Sequence, residues 1–133
     1  MEGLNFSFSG IKTAFLYFLR DNLKQNEKFI EQNLNDICAS LQHSLIRMLM
    51  QKLKKASAKY SIDRIAIAGG VSANSGLRKA LKEIALKKRW EVFIPEFQYC
   101  TDNAGMIAMA AHFKYLKGQF EDLSAIPNPR LKL

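Results

Sequence analysis

The spacing of apolar residues predicts one long helix in the first half of the chain. Its apolar positions recur every three or four residues and would form a single stripe, made by Ile37, Leu41, Leu45, Met48, Leu49, Leu53 and Ala56. Asn35 or Asp36 could cap the start of this helix by accepting hydrogen bonds from its first backbone N–H groups. The helical pattern ends near Tyr60.

The segment before this helix predicts a short strand and a first helix. Residues 5–8, Asn-Phe-Ser-Phe, alternate polar and aromatic side chains as a half-buried strand does, and a Ser-Gly pair ends the alternation. A helix is expected from about Ile11 to Leu23, followed by a helix end and a loop over residues 24–35.

Two short segments predict strands, each followed by a helix. Residues 64–68 form a nearly unbroken apolar run, which is typical of a strand that is covered on both faces in a parallel sheet. Residues 90–94 form the next strand, which Pro95 ends. Asn74 is placed to cap the helix that follows residues 64–68, and the inner face of this helix would carry Leu77, Leu81 and Ile84. Thr101 and Asp102 open the last helix, Gly118 ends it, and its inner face would carry Met106, Ile107, Ala110, Phe113 and Leu116.

Strands that alternate with helices indicate an α/β fold with parallel strands, flanking helices and right-handed crossovers. The length suits a single domain over residues 1–133, in which residues 119–133, with Pro127 and Pro129, would be an extended tail. Ligands of such folds bind beyond the carboxyl ends of the strands. The two loops that leave those ends, residues 69–74 and 95–102, are therefore the candidate site.

The first loop, Gly-Gly-Val-Ser-Ala-Asn at residues 69–74, suits a nucleotide. Gly69 and Gly70 allow positive φ angles and a close approach of the backbone to a ligand, and the helix N-terminus that follows favours phosphate. Ser72 and Asn74 could add hydrogen bonds to a ribose or a nucleobase. The alternative that these residues leave open is a tight strand-to-helix turn with an asparagine cap.

The second loop places Asp102 and Asn103 at the start of the last helix. Asp102 could bind a hard cation, or orient a nucleotide phosphate through one. Capping of the helix is the simpler role for both residues. Cys100 in this loop, and Cys38, are expected to be small buried side chains.

The composition indicates which partners the protein could bind and excludes some classes of protein. The net charge is +8, from 20 Lys and Arg against 12 Asp and Glu, and it would attract a polyanion such as RNA. The alternative is that the basic residues lie at solvated helix ends and bind no partner. No apolar stretch is long enough to span a membrane, no secretory signal is expected, and two distant cysteines fit a reducing cytoplasm. His43 and His112 are isolated and expected to be structural, and complete zinc, serine-nucleophile and P-loop motifs do not occur.

Three segments of the sequence together resemble one family. Residues 6–13 (Phe-Ser-Phe-Ser-Gly-Ile-Lys-Thr), 69–74 (Gly-Gly-Val-Ser-Ala-Asn) and 100–103 (Cys-Thr-Asp-Asn) occur in this order, with similar gaps, in the second half of the TsaD family. Its members are tRNA adenosine threonylcarbamoyltransferases, formerly described as O-sialoglycoprotein endopeptidases or glycoproteases. The resemblance implies the C-terminal portion of such an enzyme, and a lobe of the actin-like ATPase fold (ASKHA, ribonuclease H-like).

The resemblance also implies a reaction and roles for individual residues. The reaction would transfer a threonylcarbamoyl group from threonylcarbamoyl-AMP to an adenosine beside the tRNA anticodon. Gly69 and Gly70 would belong to the motif for the adenosine and phosphate of ATP or the adenylate, and Asn74 would bind the adenylate. Asp102 would be one ligand of a divalent metal, iron or zinc. A TsaB-like paralogue and other threonylcarbamoylation subunits would be partners.

The family's other features limit what this chain is expected to do alone. Its two histidine metal ligands, spaced His-x-x-x-His, and its first phosphate loop belong to a first half that this sequence lacks, so the isolated chain is expected to be inactive. The alternatives are the C-terminal half of an actin-fold small-molecule kinase, a non-catalytic scaffold half that binds a partner, and a small RNA-binding module.

Overall fold

A computed structural model of the chain describes residues 3–126. Within them lie four α-helices and two short strands, in the order α1 (Phe8–Leu23), α2 (Phe29–Tyr60), β1 (Arg64–Ala66), α3 (Ser75–Lys88), β2 (Glu91–Phe93) and α4 (Ala104–Leu116). Short 3-10 turns, Gly70–Ala73 and Phe97–Tyr99, follow the two strands. The predicted α/β class with parallel strands is confirmed, although the described chain is rich in helix and its sheet has two strands. The end of the predicted tail, with Pro127 and Pro129, lies outside the described residues.

Helix α1 replaces the strand that the alternation over residues 5–8 predicts. The Ser7 hydroxyl oxygen accepts a hydrogen bond from the backbone N–H of Gly10 at 3.0 Å, and this cap starts the helix at Phe8. The rings of Phe6 and Phe8 contact each other edge to face at 5.2 Å between their centres. The strand prediction was wrong because a local cap outweighs an alternation of only four residues.

Helix α2 is longer than predicted and is bent near its start. It begins at Phe29, so the predicted caps at Asn35 and Asp36 are wrong, and it ends at Tyr60 as predicted. Asn33 has non-helical angles (φ −124°, ψ 16°), and its side-chain amide donates to the carbonyl of Phe29 at 2.8 Å. This competition of a side chain for a helix carbonyl explains the bend.

The two strands pair in parallel, with Ile65 opposite Val92. Ile65 is buried, whereas Arg64 and Ala66 are exposed, so the prediction of a strand covered on both faces is wrong for the described residues. Parallel pairing brings the carboxyl ends of both strands to one edge of the sheet. The two candidate loops therefore leave the sheet side by side, as predicted.

A small core lies between α2, α3 and the loops that follow the strands. Its buried side chains are Ile37, Met50, Ile65, Ser72, Leu77, Leu81, Ala85 and Cys100. The predicted inner face of α3 is confirmed at Leu77 and Leu81, while Ile84 is half-buried. Gly76 lets α3 approach α2 closely, because a Cβ at this position would lie 2.8 Å from both Gln42 Nε2 and Ile46 Cδ1.

Helix α4 begins later than predicted and is not covered by the rest of the described chain. Asn103 caps it by accepting a hydrogen bond from the backbone N–H of Met106 at 3.0 Å, so Asp102 lies outside the helix that it was predicted to open. Gly118, with a φ of +65°, follows its end as predicted. The predicted inner face is wrong for the described residues, because all its members are exposed: Met106, Ile107, Ala110, Phe113 and Leu116. No helix within residues 3–126 is both long and apolar enough to cross a membrane.

Candidate functional site

The first loop is a tight turn whose backbone is fixed by Gly69 and Ser72. Gly69 has a φ of +78°, which residues with a side chain rarely adopt. Its carbonyl accepts hydrogen bonds from the backbone N–H of Ser72 at 2.9 Å and from the Ser72 hydroxyl at 2.7 Å. Ser72 is buried, so the hydroxyl that sequence reasoning assigns to a ligand closes the turn.

Asn74 and Gly70 border a cavity beside this turn. Asn74 caps α3 as predicted, since its Oδ1 accepts a hydrogen bond from the backbone N–H of Leu77 at 2.9 Å. Nothing lies within 4 Å of the position that a Cβ of Gly70 would occupy. A cavity of about 570 Å³ is lined by Gly70, Val71 and Asn74 and by residues of α2. A ligand in this cavity can therefore approach the backbone of the turn and the start of α3 together.

A second cavity meets the first at Gly70 and Val71. Its volume is about 530 Å³, and apolar side chains such as Phe6, Phe8 and Leu53 form most of its lining. This lining suits a ring system or apolar protein side chains better than a phosphate group. The glycine turn thus lies between two mainly apolar cavities, and the first differs from the second in carrying the side-chain amide of Asn74.

Arg78 joins the two candidate loops. Its Nε donates to the carbonyl of Ser72 at 2.6 Å, and its Nη2 donates to the carbonyl of Pro95 at 2.7 Å. The two carbonyls follow different strands, so one guanidinium holds the loop after β1 against the loop after β2. Hydrogen bonds from a charged donor each contribute about 1.5–3 kcal/mol, which is more than a neutral pair contributes.

The same guanidinium contacts two side chains of the second loop. Nη2 lies 3.0 Å from Sγ of Cys100, and Cζ lies 4.0 Å from the centre of the Phe97 ring. The Cys100 thiol, which is 2% exposed, donates to the carbonyl of Glu96 at 3.4 Å. The prediction that Cys100 is buried is confirmed, whereas the same prediction for Cys38 is wrong because Cys38 is exposed on α2.

Asp102 lies two residues beyond Cys100 and is exposed. Among the described residues 3–126, no group of three or more His, Cys, Asp or Glu side chains is placed to hold a metal ion. The histidines His43 and His112 are exposed on α2 and α4. The described side chains therefore do not form a metal site by themselves, because Asp102 is a single donor and transition metals require three or four ligands.

Sequence reasoning missed Arg78, although one local signal points to it. Arg78 lies one helical turn after the Asn74 cap, and the Cα–Cβ bonds of a helix tilt toward its N-terminus. A long side chain at this position therefore reaches back to the loop before the helix. Its partners Pro95 and Cys100 are 17 and 22 residues away in the chain, which local patterns do not reveal.

A sequence model of the TsaD family, described as tRNA N6-adenosine threonylcarbamoyltransferase, matches residues 1–109. The chain belongs to the TsaD family. The match contains the segments at residues 6–13, 69–74 and 100–103, and therefore both loops that Arg78 joins. The recognition of a TsaD chain from these three segments is confirmed.

Curated TsaD relatives match the whole chain. The chain is 55% identical over 133 residues to the tRNA N6-adenosine threonylcarbamoyltransferase of Cytophaga hutchinsonii and 53% identical over 132 residues to that of Christiangramia forsetii. It is 41% identical over 133 residues to that of Caldicellulosiruptor saccharolyticus. These alignments cover 99–100% of this chain and 39% of each relative. The chain thus spans about two fifths of the length of these TsaD relatives and matches their C-terminal part.

Proposed function

We propose that this chain forms the adenylate-binding side of the active site in a TsaD-type transferase of the actin-like fold. The enzyme would move a threonylcarbamoyl group from threonylcarbamoyl-AMP to an adenosine next to the anticodon of tRNA. The observation that carries the proposal is the 55% identity, over the whole chain, to a relative named for modification of tRNA adenosine at N6. A glycine turn and a capped helix at the carboxyl ends of parallel strands support a nucleotide site at this edge.

The adenylate would bind along residues 69–74. Gly69 and Ser72 shape the turn, and Gly70 leaves room for the backbone to approach the ligand. The positive end of the α3 dipole would face the phosphate. Because Oδ1 of Asn74 accepts the capping hydrogen bond, its side-chain NH₂ is the group that would donate to an acceptor on the adenine or ribose.

Asp102 would contribute one ligand to an iron or zinc ion, with the further ligands supplied from outside the described residues. When bound, such an ion would neutralise negative charge on the transferred group. Arg78 would serve this arrangement by fixing the loop that leads to Asp102, through Pro95 and Cys100. The chain's own contribution is thus to set where Asp102 stands relative to the adenylate loop.

The exposed face of α4 supports association with further protein. Its large apolar side chains, Met106, Ile107, Met109, Phe113, Tyr115 and Leu116, are between 50% and 67% exposed. Exposed apolar surfaces of this kind mark sites covered by another lobe or subunit. The covering protein would be the first part of a TsaD enzyme or its TsaB-like paralogue.

The proposal is tested with a chimaera in which this chain replaces the matching C-terminal part of the Cytophaga hutchinsonii relative. The chimaera is expressed in a bacterial strain depleted of its own TsaD, and mass spectrometry of digested tRNA measures N6-threonylcarbamoyladenosine. We expect the chimaera to restore this nucleoside and Asp102→Asn to lower it about tenfold or more. The exposed Asp63→Asn, before β1, is the control and should change nothing. A stably expressed chimaera that forms none of the nucleoside overturns the proposal.

The 133-residue chain by itself is expected to be inactive. It spans 39% of the length of its relatives, and Asp102 lacks companion metal ligands among residues 3–126. Incubation of the purified chain with tRNA, threonylcarbamoyl-AMP and zinc or iron tests this expectation. Formation of the modified adenosine under these conditions would show that the chain holds a complete site.

A further inference from the structure

Helices α2 and α3 line an open groove that carries several basic side chains. The groove has a volume of about 560 Å³, with His43, Arg47 and Lys54 on its α2 side and Lys79 on its α3 side. The α2 residues are spaced four and seven positions apart, which places them on one face of the helix. We call these four residues and the space between them the basic groove.

The cations of the basic groove form no ion pairs within residues 3–126. The ion pairs among residues 3–126 involve the cations Arg20, Lys24 and Arg64, none of which lines the groove. One of the lining residues, Glu83, is acidic. Three cations from two helices thus converge on one opening with a single carboxylate nearby. Their mutual repulsion favours binding of an anion that bridges the two helices.

The basic groove begins beside the loop proposed for the adenylate. Gly76 lines the groove and lies two residues after Asn74, and it packs against Gln42 and Ile46 near the His43 end. From His43 to Lys54 the groove follows α2 for about 16 Å, at 1.5 Å per residue. An RNA whose reacting adenosine lies beside an adenylate bound at the Asn74 loop would therefore bring its neighbouring phosphates to the groove.

We infer that the basic groove binds the sugar–phosphate backbone of the RNA substrate next to the nucleotide that reacts. The inference rests on the proposed function and adds to it the surface that holds the RNA. Lysine and arginine bind phosphates without reading the base sequence, so this surface supplies affinity and position. An acidic protein is disfavoured because none of the groove's lining residues is Tyr, Trp or Phe, whereas the centres of protein interfaces are enriched in these residues.

The test compares two triple variants that each remove three positive charges, two from α2 and one from α3. The groove variant is Arg47→Gln/Lys54→Gln/Lys79→Gln, and the control is Lys55→Gln/Lys59→Gln/Lys88→Gln, whose exposed side chains lie outside the groove. Fluorescence anisotropy measures binding of an unmodified tRNA transcript between about 50 and about 200 mM KCl. Each variant is measured in the chimaera and in the 133-residue chain, and circular dichroism compares their folding.

The groove variant should lose about 100-fold in affinity near physiological salt. Its plot of log K against log salt concentration should become shallower by about 2–3, because each phosphate contact contributes about 0.7–0.9 to the slope. The control should keep the slope within about one unit of the unaltered protein. The charge-preserving variant Arg47→Lys/Lys54→Arg/Lys79→Arg should bind like the unaltered protein, which separates loss of charge from loss of folding.

Three results would overturn the inference. Equal losses in the two triple variants would mean that net charge alone explains the binding. An unchanged slope in the groove variant would remove the groove from the RNA surface. A larger loss of affinity for polyglutamate than for tRNA in the groove variant would assign the groove to an acidic protein. Failure of the proposed function looks different: the chimaera would bind tRNA through the groove and form no modified adenosine.

Discussion

The Nη2 atom of Arg78 lies 3.0 Å from the sulfur of Cys100, although 22 residues separate the two in the chain. The guanidinium also holds the carbonyl of Ser72 at 2.6 Å, in the loop after the other strand. Asn74 lies two residues after Ser72, and Asp102 lies two residues after Cys100. Arg78 therefore fixes the distance between the loop proposed for the adenylate and the loop that carries Asp102.

Replacing Arg78 with methionine should loosen the second loop. Methionine removes the hydrogen bonds to Ser72 and Pro95, and the free energy of unfolding should fall by about 2–4 kcal/mol. Urea unfolding measures this loss, and hydrogen–deuterium exchange should be faster over residues 96–102. The control is Lys82→Met, an exposed residue one turn later on α3, which should change stability by less than about 0.5 kcal/mol. Equal exchange rates in the two variants would contradict the proposed role of Arg78.

The sulfur of Cys100 should stabilise the fold mainly through its contact with Arg78. Cys100→Val keeps a small apolar side chain but removes both the acceptor for Arg78 and the weak donor to the Glu96 carbonyl, so it should cost about 1–1.5 kcal/mol. In the Arg78→Met background the same change loses only the weak hydrogen bond to Glu96 and should cost about 0.5 kcal/mol or less, which gives a coupling energy of about 1 kcal/mol in a double-mutant cycle. Additive losses in the cycle would mean that the sulfur and the guanidinium act independently.

The adjacent glycines Gly69 and Gly70 should respond differently to alanine. Gly69→Ala should lower the free energy of unfolding by about 1–2 kcal/mol, because alanine is strained at a φ of +78°. Gly70 has no positive φ and open space around its Cβ position, so Gly70→Ala should change stability by less than about 0.5 kcal/mol. Gly70→Ala should instead weaken binding of a non-hydrolysable adenylate analogue to the chimaera. A larger stability loss at Gly70 than at Gly69 would contradict the described turn.

One pair of substitutions should separate the two roles of Asn74. Asn74→Ala removes the cap of α3 and should cost about 1 kcal/mol of stability. Asn74→Asp keeps an acceptor for the N–H of Leu77 and suits the helix N-terminus, so its stability should be close to that of the unaltered chain. It lacks the NH₂ donor, and calorimetry with the chimaera should show weaker binding of the adenylate analogue. Unchanged affinity in Asn74→Asp would leave Asn74 as a cap alone.

Features that depend on neighbouring residues could be predicted from the sequence. The Asn74 cap, the positive φ at Gly69 and the helix end before Gly118 each depend on conformations within a few residues. The parallel pairing of β1 and β2 follows from the helix that connects them. These features also give the position of the candidate site, because they determine which loops leave the same edge of the sheet.

Features that depend on competing or distant contacts could not be predicted in this way. The Ser7 cap set the start of α1, and the side chain of Asn33 bent α2 inside the helix; an apolar pattern alone predicts neither. An apolar face on α4 predicts burial, but burial depends on a covering partner, which residues 3–126 do not supply. The role of Arg78 depends on Pro95 and Cys100, which the fold brings close from 17 and 22 positions away.

The proposed site, with Arg78 joining its two loops, is tested most directly by the level of N6-threonylcarbamoyladenosine in tRNA from cells that depend on the chimaera. The unaltered chimaera and its Lys82→Met variant should restore the nucleoside fully. Arg78→Met, at an equal level of accumulated protein, should lower it by about tenfold or more, because the adenylate loop and the Asp102 loop lose their fixed spacing. Full modification with Arg78→Met would contradict the role of Arg78, and no modification with the unaltered chimaera would contradict the proposed activity.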